Sequence, residues 1–363
     1  MTRFRIAAED EDWPAIHALV ARAFAFMEGR IDPPSSLARW TAETFREAAA
    51  AGPAFLAVDD GRPVGCAFGT VEGDALHLGK IAVDDACRRR GLARALIDLA
   101  AWEARRRGLA RLKLQSRVEL AENHAAFAAL GFERIGETAH PGYDRPTSVT
   151  FARPVGDPPP PRFLAYADAS PEAQRGALDE AVRASPTMIE TLERARVFDL
   201  PNWRIVSGAI YNQVWNHLTG RSDMRGVKDI DLMYHDPDLS YEAEDDAIRR
   251  AAAAFAAAPP VEVRNQARVH LWFEDRFGHP CPPLPTVEAA IDRFASRTHS
   301  VGLRLGDDGE LEVYAPYGLG DVFGFRLTPN ASIPNRATYE AKAARQQALW
   351  PEVTVERWPE GAA

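Results

Sequence analysis

The chain has 363 residues, of which 46% are hydrophobic and 26% are charged, a composition typical of folded globular proteins rather than disordered ones. Its length predicts two or three domains, and no stretch reaches the roughly 20 apolar residues that span a bilayer. The three cysteines are too few and too widely spaced for a disulfide framework or a CxxC zinc site. We therefore expect a reducing, cytoplasmic environment.

Charge is divided unevenly between the two halves of the chain. Residues 1–155 carry 21 Lys and Arg against 21 Asp and Glu, whereas residues 156–363 carry 22 against 31 and so hold the whole net charge of −9. An acidic half repels a phosphate backbone, which argues against a nucleic-acid partner. We expect small-molecule or protein acceptors and no membrane partner.

Predicted helices and strands alternate along the first half. Acidic residues before Pro14 open a helix with apolar side chains at helical spacing. A strand–turn–strand unit follows over Phe55–Phe68. The next elements are a strand at 76–83, a helix at 90–107, a strand at 111–115, a short helix at 123–130 and a closing strand at 149–152.

A proline-rich segment then divides the chain. Pro158–Pro161 are four consecutive prolines, which favour an extended spacer. We predict a first domain over 1–154, a linker over 155–162, a second domain over 163–350 and a tail over 351–363. Each domain is expected to be α/β (α+β), with a mixed β-sheet flanked by helices.

The segment Ile81–Ala93 joins a strand to a helix through a tight turn. Gly91 and Ala93 would let the backbone approach a bulky ligand, and Arg88–Arg90 add positive charge. Free N–H groups at a helix N-terminus, with the helix dipole behind them, form an anion site. The pattern predicts a phosphate site; the plainer alternative is a solvated basic cap.

The sequence Arg88-x-x-Gly91-x-Ala93 resembles the pyrophosphate motif Q/R-x-x-G-x-G/A of the GCN5-related N-acetyltransferases, the GNAT family. The resemblance spans about residues 1–154 and includes Glu122–His124 and Leu130–Phe132. It implies a GNAT fold, acetyl-CoA as co-substrate and an amine acceptor. It also implies a set of CoA-binding residues: Ile81, Val83, Arg88, Arg89, Gly91, Leu92, Ala93, Arg94 and Asn123.

One position departs from the GNAT pattern. Many members carry a tyrosine that protonates the leaving thiolate, but the aligned residue here is Phe127, and the tyrosine of this region is Tyr143. Water can serve as acid or base. Glu28 and His77 are candidate bases for the amine, and their ordinary alternatives are an exposed loop acid and a strand histidine.

In the second half, a strand ending at Val206 is followed by a Ser207-Gly208 turn and a helix that ends at Gly220. Strands are predicted over 227–234 and 260–272. Asp229 and Asp231 share one face of the first of these, because side chains alternate along a strand.

Carboxylates held side by side repel one another unless a cation lies between them, and Mg²⁺ prefers such oxygen ligands. Glu262 on the later strand adds a third carboxylate, and Arg264 is placed to hold a phosphate. The plainer alternatives are an exposed acidic edge and a surface Glu262–Arg264 ion pair.

This order of strand, turn, helix and Asp-x-Asp strand resembles the DNA polymerase β-like nucleotidyltransferase superfamily, and residues 163–350 look like a little-characterised bacterial branch of it. The Ser-Gly order of the turn and the long gap before Asp229 depart from its pattern. The resemblance implies Mg²⁺ with an NTP. It implies four catalytic residues, Asp229, Asp231, Glu262 and Ser207, of which the three carboxylates are also the metal ligands. It implies three nucleotide-binding residues, Ser207, Gly208 and Arg264.

Together the two resemblances predict a bifunctional transferase: an N-acetyltransferase fused to a Mg²⁺-dependent nucleotidyltransferase. A regulatory or antitoxin-like module that binds CoA or nucleotide, with one or both domains catalytically silent, is the alternative. The intact acidic set favours turnover, whereas Phe127 and the Ser-Gly turn favour binding alone.

Overall fold

A computed structural model describes residues 1–255, 259–278 and 280–360, and the chain forms two compact units, Met1–Phe163 and Leu164–Ala363. Both units combine a β-sheet with flanking helices, which confirms the predicted fold class. Cys66, Cys87 and Cys281 are buried and unpaired. Within the described ranges, no helix has the length and apolar character needed to cross a membrane.

The first unit is built on a seven-stranded sheet in the order β1-β2-β3-β4-β5-β7-β6. Strands β4 and β5 are parallel, and the other neighbours are antiparallel. Its strands are Arg3–Ile6 (β1), Ala54–Asp59 (β2), Arg62–Glu72 (β3), Ala75–Val83 (β4), Arg111–Arg117 (β5), Glu133–Thr138 (β6) and Ser148–Pro154 (β7). Its helices are Trp13–Phe24 (α1), Ala42–Ala51 (α2), Leu92–Arg106 (α3) and Ala121–Ala129 (α4).

Helix α1 begins where the Asp12 carboxylate accepts a hydrogen bond from the Ala15 N–H at 2.9 Å. Its apolar face packs with Phe45 of α2 and with β2 and β3 into one buried cluster. Helix α3 begins at Leu92, two residues later than predicted, because Gly91 adopts φ +79° and caps the helix. Left-handed backbone of this kind is inexpensive only for glycine.

The second unit contains a five-stranded sheet in the order β10-β9-β8-β11-β12 and a small β13-β14 sheet. Its strands are Arg204–Val206 (β8), Ile230–Tyr234 (β9), Val261–Asn265 (β10), Gly302–Leu305 (β11), Leu311–Tyr314 (β12), Arg326–Leu327 (β13) and Thr354–Val355 (β14). Its helices are Pro171–Arg183 (α5), Pro186–Phe198 (α6), Gly208–Thr219 (α7), Tyr241–Ala254 (α8), Phe273–Phe277 (α9), Val287–Ile291 (α10), Gly320–Phe323 (α11) and Arg336–Leu349 (α12).

Two strands of this unit are shorter than predicted. The β9–β10 ladder starts at Ile230 and Val261, since Pro259 and Pro260 have no N–H to donate to it; Asp229 therefore precedes β9. Strand β10 ends at Asn265, whose side-chain oxygen accepts a hydrogen bond from the Ala267 N–H at 3.1 Å and starts a 3₁₀ turn. The predicted strand over 266–272 is wrong for this reason.

Candidate functional sites

Strands β4 and β5 part at the middle of the first unit's sheet. Their parallel pairing runs from Ala75–Arg111 to Leu78–Leu114 and stops there, although β4 continues to Val83 and β5 to Arg117. The β3–β4 register shifts beside this point, and such a bulge bends and twists a strand. The backbone of β4 beyond Leu78 therefore lacks a strand partner on its β5 side.

Two cavities lie at this opening. One, the strand-gap cavity, has a volume of about 310 Å³ and is lined by Leu78–Ile81 of β4 and Leu114–Arg117 of β5. The other, the helix-start cavity, has a volume of about 520 Å³ and is lined by Ile81–Val83, Ala93 and residues of α4. They share five lining residues, which makes them two parts of one cleft: Phe24, Met27, Ile81, Asn123 and Phe127.

Five of the nine predicted CoA-binding residues line the helix-start cavity: Ile81, Val83, Arg88, Ala93 and Asn123. Gly91 caps α3 at the same turn, and a Cβ placed on it would meet no atom within 4 Å. The conformation of this glycine, and not crowding by the protein, therefore explains the residue type. Ile81 and Asn123 also line the strand-gap cavity, so they lie where the two parts meet.

The other predicted residues at the turn contribute differently from one another. Leu92 buries its side chain in the core, so only its backbone can face a ligand. Arg89 has φ +61°. The side chains of Arg88 and Arg94 already have protein partners, the Asp85 carboxylate at 2.7 Å and the Ala129 carbonyl at 3.1 Å. The backbone N–H groups at this helix start have no such side-chain competition among the described residues and point in the direction that suits an anion.

Among the candidate acid–base groups, His77 lines the strand-gap cavity, with its Nδ1 3.0 Å from Glu72 Oε1. Glu28 is exposed and lines neither cavity. Phe127 lines both cavities. The Tyr143 hydroxyl donates to Asp32 Oδ1 at 2.5 Å, and this hydrogen bond raises the pKa of Tyr143.

In the second unit, a strained turn joins β8 to α7. Ser207 has φ +58° and does not cap the helix with its side chain. Its backbone N–H donates to the Val301 carbonyl at 2.9 Å, which holds the turn against the start of β11. A non-glycine residue in this region costs about 1–3 kcal/mol and is often found at functional turns. A Cβ placed on Gly208, the first residue of α7, would be in ordinary contact with the Asn212 side chain at 3.8 Å and the Tyr211 hydroxyl at 4.0 Å.

Of the three predicted acids, Asp231 lies beside the strand that ends at this turn and Glu262 lies one strand further along the sheet. Asp229 precedes β9 and, contrary to the prediction, does not share a strand face with Asp231. Asp231 of β9 pairs in register with Val206 of β8 on one side and with Glu262 of β10 on the other. Partners in register share a face, so Asp231 and Glu262 project to the same side of the sheet. Arg264 follows two positions after Glu262 and shares that face.

Several charged groups lie near enough to Asp231 to change the pKa of its carboxyl group. Burial and the charges of Asp229 and Glu262 raise the pKa of Asp231 to about 6, while Lys342 and Arg264 act in the opposite direction. The acids are near enough to repel one another. No three His, Cys, Asp or Glu side chains in the described ranges are arranged as a ready metal site. The donor set is nevertheless the all-oxygen type that Mg²⁺ prefers.

The helix α12 supplies residues that the sequence patterns do not identify. Lys342 interacts with Asp231 across more than a hundred positions of sequence. Gln346 donates to the Tyr211 hydroxyl at 2.9 Å, and the Tyr211 ring stacks on His299 with centroids 4.8 Å apart. Lys342 is one of four lysines in the chain, but no local motif marks it.

Two other cations that lie close to these acids in the sequence have different surroundings. The partly buried Arg268 forms an ion pair with the buried Glu244, and the Glu244 carboxylate also accepts a hydrogen bond from the Asn265 N–H at 3.0 Å. This pair supports the end of β10. Lys228 is exposed just before Asp229.

Comparisons with known proteins agree with this division. Residues 13–132 match the model of the Acetyltransferase (GNAT) family, and residues 193–355 match that of a Nucleotidyltransferase family. Both resemblances inferred from the sequence are thereby confirmed. A search of curated proteins finds no match.

Several solved structures are similar to parts of the chain. One is described as revealing a CCA-adding enzyme head domain (25% identity, 53% of this chain and 100% of that chain, TM-score 0.44). The ribosomal-protein-S18-alanine N-acetyltransferase from Escherichia coli is 27% identical over 42% of this chain and 95% of that chain, with a TM-score of 0.33. The PaiA N-acetyltransferase from Thermoplasma acidophilum, solved with coenzyme A, is 10% identical over 42% of this chain and 99% of that chain, with a TM-score of 0.37.

Proposed function

Because the chain fuses a GNAT acetyltransferase domain to a nucleotidyltransferase domain, we propose that it is a bifunctional transferase. The first unit transfers an acetyl group from acetyl-CoA to an amine. The second transfers a nucleotidyl group from an NTP, with Mg²⁺, to an acceptor hydroxyl. The observation that carries the first activity is the parting of β4 from β5 directly beside the N-terminus of α3.

In the first unit, each part of CoA meets a different element. The backbone of Ile81 and Val83 pairs with the pantetheine arm, as a missing strand would. The N–H groups from Arg89 to Arg94 bind the pyrophosphate, and Asn123 contacts CoA near the junction of the two cavities. The thioester then lies where the strands part, beside the strand-gap cavity.

Acetyl transfer replaces the carbon–sulfur bond of the thioester with a carbon–nitrogen bond and removes one proton from the amine. The acceptor nitrogen attacks the thioester carbonyl carbon, the carbon–sulfur bond breaks, and CoA leaves as the thiol while the nitrogen loses a proton. His77 is the better placed candidate base, because it lines the strand-gap cavity and Glu28 does not. Phe127 has no proton to give, so water protonates the thiolate.

In the second unit, Asp229, Asp231 and Glu262 are the residues that would hold Mg²⁺. The ion, when bound, would supply positive charge that offsets both the burial of the Asp231 carboxylate and its repulsion by Asp229 and Glu262, which together raise its pKa. Ser207, Gly208 and the first turn of α7 bind the triphosphate. Arg264 and Lys342 add positive charge on the same side. The acceptor hydroxyl oxygen attacks the α-phosphorus and gives its proton to solvent, while the bond from the α-phosphorus to the bridging oxygen breaks and pyrophosphate leaves.

Titration calorimetry on the full chain tests both activities, with acetyl-CoA and with each NTP, with and without Mg²⁺. Thiol release and pyrophosphate release are then measured with a mixture of candidate amines and alcohols. Binding of both ligands with release of CoA thiol and pyrophosphate supports the proposal. Binding without any release favours a regulatory module with silent domains, and absence of binding contradicts the site assigned to that ligand.

A further inference from the structure

We propose that the amine acceptor of the first unit carries an anionic group, a carboxylate or a phosphate-type oxyanion, and that Lys80 binds this group. The inference rests on the proposed acetyl transfer and specifies the chemical class of its acceptor. It follows from the charge of the strand-gap cavity, the position of Lys80 and the absence, among the described residues, of an ion-pair or hydrogen-bond partner for its ammonium group.

The strand-gap cavity has a one-sided charge. Its charged lining residues are Lys80 and Arg117, its histidines are His77 and His140, and among the described residues that line it there is no Asp or Glu. Its other polar lining residues are neutral serine, glutamine and asparagine side chains. A cavity that received a diamine or a polyamine would need carboxylates to compensate for the remaining ammonium charge.

The lysine and the arginine of this cavity differ in their protein contacts. Both Nη atoms of Arg117 are occupied by the protein, since Nη1 donates to His140 Nε2 at 2.9 Å and Nη2 donates to the Pro33 carbonyl. Lys80 forms no ion pair or hydrogen bond through its ammonium group in the part of the chain that the structure describes. Burial alone lowers the pKa of Lys80. Its charge is thus partly desolvated and not compensated by a carboxylate.

Lys80 is held in place from two directions. Its backbone has φ +50° at the position where β4 has just left β5, a conformation that costs a non-glycine residue roughly 1–2 kcal/mol. Its Nζ lies 4.4 Å from the ring centroid of Trp40, a cation–π contact. Trp40 in turn packs on Phe45, with ring centroids 4.8 Å apart. The strained backbone and the aromatic contact keep the ammonium at the cavity.

These features favour one kind of acceptor. An oxyanion near the reacting amine would form a charge-assisted hydrogen bond with the Lys80 ammonium, and such bonds are roughly twice as strong as neutral ones. An acceptor with additional positive charge would instead face Lys80 and Arg117 without compensation. The same chemistry serves a carboxylate and a phosphonate, so the experiment has an arm for each.

The test measures CoA thiol release by the full chain with four matched amines: an α-amino acid, its carboxamide, an aminoalkyl phosphonate and a diamine. Wild type is compared with Lys80→Met, Lys80→Arg and the control Lys113→Met, whose lysine lies on β5 but lines neither cavity. We expect kcat/KM for at least one anionic amine to exceed that for the carboxamide by more than about tenfold. The anionic amine with the higher kcat/KM shows whether the acceptor carries a carboxylate or a phosphate-type group.

In Lys80→Met, the ratio of kcat/KM for the anionic amine to that for the carboxamide should fall close to one, mainly because KM for the anionic amine rises. Lys80→Arg and Lys113→Met should keep the wild-type ratio. Arginine retains the charge but cannot give up its proton. Loss of kcat in Lys80→Arg as large as in Lys80→Met, with KM unchanged, would mean that Lys80 transfers a proton, and the proposal would be wrong. A preference for the diamine, or an unchanged preference in Lys80→Met, also overturns it.

Titration of acetyl-CoA separates this inference from the proposed function. If wild type does not bind acetyl-CoA, the proposed acetyl transfer fails. If it binds acetyl-CoA but acetylates none of the four amines, the N-acetylated amino acid and its carboxamide are titrated in the presence of CoA. Tighter binding of the anionic product analogue, lost in Lys80→Met, supports the inference; equal or undetectable binding of the two contradicts it.

Discussion

The two candidate sites are built by contrasting means. The cleft of the first unit is formed by backbone geometry: a glycine at φ +79°, a strand that leaves its neighbour, and N–H groups at a helix start. The site of the second unit is formed by charged side chains, three acids with Arg264 and Lys342 nearby. A backbone site tolerates changes of side chain that preserve the dihedral angles, whereas a charge site depends on each ionised group.

Asp231→Asn is the change with the largest expected effect, since it removes one charge from the charge-built site. We expect it to lower Mg²⁺-dependent nucleotidyl transfer by more than about a hundredfold and to abolish the rise in Tm that Mg²⁺-NTP gives wild type. Glu262→Gln should behave in the same way. Asp245→Asn, which removes a half-buried acid of α8 that pairs with Arg249, is the control. Variants that keep a wild-type Tm shift would contradict the assigned site.

Asp231→Asn should also change the stability of the metal-free protein, by an amount that depends on pH. The folded-state pKa of Asp231, about 6, lies above that of an unfolded aspartate. Its ionisation therefore opposes folding, and this cost is absent at low pH and grows as pH rises from about 4 through 6. Asp231→Asn should raise the free energy of unfolding by about 1–3 kcal/mol near neutral pH and hardly change it near pH 4. Urea denaturation at the two pH values measures both.

Gly91→Glu tests the backbone-built site. The substitution adds bulk and negative charge where the pyrophosphate should lie, and we expect acetyl-CoA binding to weaken more than tenfold, or by more than about 1.4 kcal/mol. Calorimetry gives the affinity and circular dichroism checks the fold. Gly108→Glu is a matched control, since Gly108 ends the same helix at φ +72° with equally open space. Equal affinities in the two variants would contradict a CoA site at Gly91.

Phe127→Tyr asks whether the cleft lacks only a proton donor. Phe127 lines both cavities, so a hydroxyl added there would reach the region of the leaving thiolate. We expect kcat for acetyl transfer to rise by up to about tenfold with little change in KM. Phe26→Tyr places a hydroxyl at the helix-start cavity alone and should not raise kcat. A rate equal to wild type in both variants would mean that thiolate protonation does not limit turnover.

Ser207→Gly has the smallest expected effect and compares backbone and side-chain roles within one turn. Glycine relieves the cost of φ +58°, so stability should rise by up to about 1 kcal/mol, while NTP affinity should fall a few-fold if the hydroxyl binds phosphate. Asp199→Gly, at φ +52° after α6, gives the backbone effect away from the site. Unchanged NTP affinity would leave the N–H groups of α7 as the phosphate ligands.

Much of the candidate sites could be predicted from the sequence, because their signals are local. A strand followed by a basic, glycine-containing helix start identified the turn at Gly91, and alternation along a strand placed Glu262 and Arg264 on one face. Strand ends were predicted less well. The ends at Ile230 and Asn265 depend on which N–H groups a neighbouring strand can use and on a side-chain cap, and neither is visible in a hydrophobic pattern.

The sequence by itself determined the two fold classes, the glycine-dependent turn and the type of residue at the acidic site, since periodicity and backbone preference act over a few neighbouring residues. Only the tertiary structure decided which distant groups share a site. Asp231 lies next to Glu262 because two strands align in register, Lys342 reaches Asp231 from another helix, and Lys80 faces a cavity without acids because β4 leaves β5 at Leu78. These are long-range contacts, and the packing of the whole unit sets them.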